Sequence, residues 1–200
     1  TMPDLEAAAA HPARVLVDST AATPVYLRPL EARADFVLHS ATKYLGGHDD
    51  VLLGAVACRS ADDAKRLHQF RTRTGIVAAP DPCWLLSRSL KTLTLRMERH
   101  TATATEIARR LGGHPAVELV RYPGFSGLLS FDVADAATAL AVETSVRVIG
   151  NATSLGGAHS VLEGRARWEG DRVPPGLLRL SVGLEDVEKL WADLEQALAA

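Results

Sequence analysis

Runs of apolar residues without alternation mark the early part of the chain. In Arg14-Val15-Leu16-Val17-Asp18 the apolar positions are continuous and end in an acid. That pattern predicts a strand covered on both faces, as in a parallel sheet flanked by helices. The polar loop Asp18-Ser19-Thr20-Ala21-Ala22-Thr23-Pro24 then falls at the strand's C-terminal end, where open α/β sheets place their ligands. Leu30 to Ala34 reads as a connector, and Asp35 to His39 and Leu52 to Arg59 as two further strands. Ahead of them, Pro3 to Ala10 has the early proline, acids and alanines of a helix. Thr1-Met2-Pro3-Asp4 looks like a helix start without the strand expected before it, so the chain is expected to be a fragment.

Helical spacing takes over from Asp62. Asp62 to Thr72 predicts a helix with Ser60 as its cap and Leu67 and Phe70 on one face. Pro80 to Pro82 reads as an interruption. Trp84 to Gly112 carries Leu85, Leu86, Leu90, Leu93, Leu95, Met97, Ile107 and Leu111 as one long helical stretch, closed by Gly112-Gly113 and Pro115. Beyond His114 the pattern becomes α+β. Strands are expected at Val117 to Arg121, Leu128 to Val133, Val146 to Ile149 and Leu177 to Val182, with helices at Ala136 to Thr144 and Glu185 to Ala199. The boundary is placed near residues 98 to 114, dividing the chain into 1–105 and 106–200.

Composition narrows the function classes. The 200 residues are 47% apolar and 23% charged, enough for one substantial core or two small ones, with no sign of disorder. A net charge of −2 with dispersed basic residues gives no footprint for nucleic acid or an anionic membrane. No apolar segment reaches the roughly 20 residues of a spanning helix, and no secretory leader is seen, so a cytoplasmic enzyme is the expectation. Cys58 and Cys83 are too few and too far apart for a disulfide framework or zinc site and read as small core residues. Asp49-Asp50 has no partner cluster to make a metal site.

The chemistry concentrates in His39-Ser40-Ala41-Thr42-Lys43-Tyr44-Leu45-Gly46-Gly47-His48, a loop between two expected strands. A lysine alone is ordinary. Joined to Asp18 at the end of an earlier strand and to the Ser40 and Thr42 hydroxyls, Lys43 meets three needs of pyridoxal phosphate: an amine for the aldehyde, an acid for the pyridine nitrogen, and donors for the phosphate. His48 reads as a loop hydrogen-bonding residue, and Arg165-Ala166-Arg167-Trp168 as a solvated surface loop.

These residues resemble the Cys/Met-metabolism pyridoxal-phosphate enzymes, which include cystathionine γ-synthase, cystathionine γ-lyase, cystathionine β-lyase and methionine γ-lyase. The resemblance runs from Val17-Asp18-Ser19-Thr20 and Ser40-Ala41-Thr42-Lys43 through Leu90-Lys91-Thr92-Leu93, Tyr122-Pro123-Gly124 and Ser154-Leu155-Gly156-Gly157 to Leu178-Arg179-Leu180-Ser181-Val182-Gly183. It implies an α/β, fold-type I architecture: part of the large, mainly parallel sheet domain that binds the cofactor, followed by a small C-terminal α+β domain. Lys43 would carry pyridoxal 5'-phosphate and shuttle protons, Asp18 would face the ring nitrogen, and Ser40 and Thr42 the phosphate. Arg179 would clamp the substrate carboxylate with Ser154 and Leu155 beside it. The implied reaction is elimination or replacement at the γ carbon of a sulfur-containing amino acid, cystathionine γ-lyase-like. γ-Synthase, β-lyase and methionine γ-lyase activities stand as alternatives, as does a non-catalytic remnant or assembly module. A homo-oligomer, dimer or tetramer, is also implied. The sequence departs from the family at Asp49 and Thr153, and the glycine-rich phosphate loop and stacking aromatic of the family's N-terminal portion are not in these 200 residues.

Overall fold

Three apolar runs of the first half pair as one sheet in the computed structural model, which describes residues 4–199. Strand β1 (Leu16–Asp18) lies parallel to β2 (Phe36–Ser40), with Asp18 opposite Leu38, and β3 (Gly54–Cys58) runs antiparallel to β2, with Gly54 opposite Ser40. Ahead of them is α1 (Leu5–Ala10), capped by the Asp4 carboxylate, which accepts from the Glu6 and Ala7 amides at 3.0 Å each. Pro3, where the helix was expected to begin, lies outside the described residues. A single turn, α2 (Thr23–Tyr26), follows β1, and α3 (Ala61–Thr74) starts at its Ser60 cap and stops at Gly75, whose φ of 73° is left-handed.

Some expectations for this region change. Pro80 does not interrupt the chain but opens α4 (Pro80–Leu90), because a missing N–H and a fixed φ suit the first helical turn. The long helical stretch breaks at Lys91-Thr92, and α5 (Leu93–Leu111) resumes beyond it. Leu67 and Phe70 share a face, yet they are 40% and 60% exposed. Cys83 is exposed as well, and Cys58 only partly covered, so neither is a core residue.

The chain divides into two compact units, Thr1–Thr94 and Leu95–Ala200. The second contains β4 (Leu119–Arg121), β5 (Leu128–Asp132), β6 (Gly150–Asn151), β7 (Val161–Gly164) and β8 (Leu177–Ser181), in the order β4-β5-β8-β7-β6. All neighbours are antiparallel except β6 and β7. Helices α6 (Ala136–Ser145), α7 (Ala166–Glu169) and α8 (Val187–Leu198) complete it, the last capped by Asp186. Ile107, Phe131, Leu162, Leu180, Leu190 and Leu194 belong to one buried core. Fully burying a side chain such as Phe131 stabilises by about 2–3 kcal/mol.

Two sequence expectations fail in this unit for identifiable reasons. Val146 to Ile149 does not form a strand, because the amides of Arg147, Val148 and Ile149 all donate to the Asp193 carboxylate, at 2.8 Å in each case. Three successive amides aimed at one acceptor cannot also alternate across a ladder. Conversely, β7 was not anticipated, since its Glu163 interrupts the apolar pattern and yet is fully buried.

Candidate active site

Parallel pairing puts the C-terminal ends of β1 and β2 side by side, so the loops that carry Asp18 and Lys43 leave the same end of the sheet. Asp18 is exposed, and its Oδ1 accepts from the Thr20 amide at 2.9 Å. Thr20 then joins the two loops, its hydroxyl accepting from the Ser40 amide at 2.8 Å. Ser19 continues the ladder through its amide to Leu38 O at 2.9 Å. Thr23, buried and β-branched, has φ of 56°, a conformation that costs on the order of 1–3 kcal/mol and is commonest where a loop is held for function.

The Lys43 loop is a tight coil of turns. Lys43 N donates to Ser40 O at 3.1 Å, Gly46 N to Ala41 O at 2.8 Å and Gly47 N to Lys43 O at 2.7 Å. A Cβ at Gly46 would stand 2.8 Å from Ala41 O, and Gly47 has φ of 71°, so each position needs a glycine. Tyr44 and Ala41, both fully buried, pin the coil from beneath, leaving Lys43 itself half-buried. Thr42 Oγ1 accepts from Leu53 N at 3.0 Å and reaches Leu53 O at 3.4 Å. His48 Nδ1 lies 2.7 Å from Gly46 O and 3.4 Å from Ser89 Oγ, a loop-holding position.

In the second unit Arg179 sits in β8 between the core residues Leu178 and Leu180. Alternation therefore turns it to the sheet face opposite theirs. It is directly opposite Glu163 of β7 and ion-paired with it, and Nη2 also donates to Ser154 O at 3.1 Å. Ser154 has φ of 107°, a strained conformation for serine that turns its carbonyl toward Arg179. The Gly156 amide donates to Ser181 Oγ at 3.0 Å, fixing the Ser154-Leu155 segment to the same strand. Burial pushes the Arg179 guanidinium down from its ordinary pKa, against the attraction of Glu163.

Sequence reasoning missed Glu163. The signal was an acid inside the run Val161-Leu162-Glu163-Gly164, which only a paired charge tolerates. It also misread Arg165-Ala166-Arg167-Trp168. Rather than a solvated loop, this segment leads into α7, with Arg165 bonded to Glu163 and Glu169 and Arg167 to Glu143, while Trp168 remains 60% exposed.

Residues 4–199 match the family described as Cys/Met metabolism PLP-dependent enzyme. The chain belongs to this family. Among curated members it is 42% identical to cystathionine gamma-synthase of Haemophilus influenzae, the match covering 94% of this chain and 54% of that protein. It is 39% identical to cystathionine gamma-lyase of Bacillus subtilis, over 92% of this chain and 55% of that protein. A solved methionine gamma lyase from Micromonospora echinospora superimposes with a TM-score of 0.95 at 36% identity, covering 100% of this chain and 62% of that one. The chain thus spans about half the length of the curated relatives it matches. The solved likeness bears out the α/β, fold-type I reading of the sequence.

The family's cofactor is pyridoxal phosphate, and the residues present fit it. Ser19 Oγ and His39 Nδ1 flank the Asp18 loop, both buried and both without a hydrogen-bond partner. Orphaned polar atoms beside a half-satisfied carboxylate suit a site built to face a polar group. Burial pushes the His39 pKa down, against the opposing attraction of Asp18. Among the described residues no cluster of three or more His, Cys, Asp or Glu could hold a metal, and no helix is long and apolar enough to cross a membrane.

Proposed function

We propose that the chain is the catalytic-lysine and carboxylate-binding portion of an enzyme that carries out elimination or replacement at the γ carbon of a sulfur-containing amino acid, cystathionine γ-lyase-like. The observation that carries this reading is the meeting of Asp18 and Lys43 at one end of the β1–β2 pair. When bound, pyridoxal phosphate supplies an electron sink for carbanions at the substrate's α and β carbons.

In this reading residues 1–105 form part of the cofactor-binding domain and 106–200 the small domain. Lys43 would hold the cofactor through its ε-amino group, and its free amine would move protons at the substrate's α and β carbons. The Asp18 carboxylate, fixed through the Thr20 amide, keeps a proton on the pyridine nitrogen. Ser40 Oγ donates to the phosphate. Thr42 joins it by giving up its long 3.4 Å contact to Leu53 O while still accepting from Leu53 N. Arg179 takes the substrate carboxylate, with the Ser154-Leu155 segment beside it. A cytoplasmic homo-oligomer, dimer or tetramer, completes the proposal.

Mixing the chain with pyridoxal phosphate is expected to give the visible absorbance of lysine-bound cofactor, lost in Lys43→Ala. An unchanged spectrum in the variant would sink the assignment. Products identify the bond broken: 2-oxobutanoate from cystathionine marks γ elimination, and pyruvate marks β elimination. A second reading, a non-catalytic assembly module, is favoured by the exposed apolar residues of the first unit, among them Leu52 at 88% and Ile76 at 67%. Tight cofactor binding by this chain, equal to that of an N-terminally extended one, would count against it.

A further inference from the structure

From the ion cluster on β7 and β8 we infer that Glu163 is a positioning residue for Arg179: it is the shared counter-ion that keeps two neighbouring guanidiniums, those of Arg179 and Arg165, in fixed places, so that Arg179 can receive a carboxylate. This rests on the reading of Arg179 as the substrate-carboxylate residue.

Three observations support it. Glu163 is fully buried, and its Oε1 alone takes both arginines, Arg165 Nη1 at 2.6 Å and Arg179 Nη2 by ion pairing. Two cations on one oxygen lie within a few ångströms of each other, where like charges repel strongly unless the anion between them stays. Arg165 cannot swing away, because Glu169 Oε1 accepts from its Nε at 2.8 Å and from its Nη2 at 2.5 Å. The side chain left to move on losing the anion is Arg179, 23% exposed and otherwise tied by the Ser154 carbonyl.

The bonding also sets how Arg179 meets its ligand. Nη2 is occupied by Glu163 and Ser154, which leaves Nη1 and Nε outside these bonds. A carboxylate is therefore expected at Nη1 or Nε, the nitrogens these bonds leave over.

The test uses the 200-residue chain labelled with 15N, following the Arg179 side-chain signals while acetate is added. In the unchanged protein a slowly exchanging Arg179 signal shifts with acetate. Glu163→Gln is expected to make that signal exchange fast and to raise the half-saturating acetate concentration roughly fivefold. Adding Arg165→Gln to Glu163→Gln is expected to restore both, because the repelling neighbour is gone; a merely structural role for Glu163 would not be rescued this way. An ordered Arg179 with unchanged acetate response in Glu163→Gln overturns the inference and leaves the carboxylate reading intact. No acetate response in the unchanged protein overturns that reading and this inference together. Should Glu163→Gln lose the native amide spectrum, Glu163→Asp is read in its place. It keeps the charge but draws it back, and the same loss of Arg179 order is expected, an unaltered Arg179 counting against the inference.

Discussion

The two units use apolar residues in opposite ways. In Leu95–Ala200 a five-stranded sheet and its helices enclose a continuous core, and Phe131, Ile107, Leu162 and Leu194 are fully buried. In Thr1–Thr94 a three-stranded sheet leaves both outer strands, β1 and β3, with an unpaired edge among the described residues, and Leu16, Val56, Phe70 and Trp84 are exposed. An apolar groove of about 700 Å³ runs between β3, α3 and the segment 75–78, with Leu67, Ile76 and Val77 along it. The difference teaches that a hydrophobic pattern states only that a face is apolar. Whether that face is a core depends on what else is there to cover it.

The largest expected contrast is mutational. Phe131→Ala should destabilise the second unit by about 3–5 kcal/mol, since it opens a cavity at a fully buried position. Phe70→Ser, at 60% exposure, should stay within about 0.5 kcal/mol. Guanidinium unfolding reads both. A cost of several kcal/mol at Phe70 would break the comparison by showing that its face is covered in solution.

Amide exchange gives the next contrast. Amides of β5 and β8, central in their sheet, should exchange at least about 100-fold more slowly than those of β1 and β3. Equal protection would mean that the first unit closes as firmly as the second.

The smallest effect is on pH dependence. Burial lowers the pKa of His100, whose Nδ1 is 2.7 Å from Val182 O in the second unit. A folded value below the unfolded one of about 6.5 means that stability is full above that pH and is lost as the pH falls through the folded value. The unfolding free energy of the second unit should therefore drop between pH 7 and pH 5, by at most about 1.4 kcal/mol per pH unit for this group. His100→Gln should flatten that slope. An unchanged slope would remove His100 as its cause.

Most of the secondary structure was legible, because strands β1, β2, β5 and β8 and helices α3 and α8 follow local periodicity and capping residues. Elements whose backbone or charge is satisfied from afar were not. Asp193 draws the amides of residues 147–149 out of a ladder from 44 to 46 residues away in sequence. Glu163 can lie in a buried strand because Arg179 faces it across the register and Arg165 follows two residues on.

The same division applies to the candidate site. Sequence alone determined the family, the loop that presents Lys43, and the acid at the end of an apolar run, since all three are read over short windows of residue types. Tertiary structure decided that Asp18 and Lys43 share a sheet end, that Thr20 ties their loops together, and that Glu163 and the strained Ser154 hold Arg179. Those relations arise from strand pairing and burial, which bring distant residues together and set the strength of their charges.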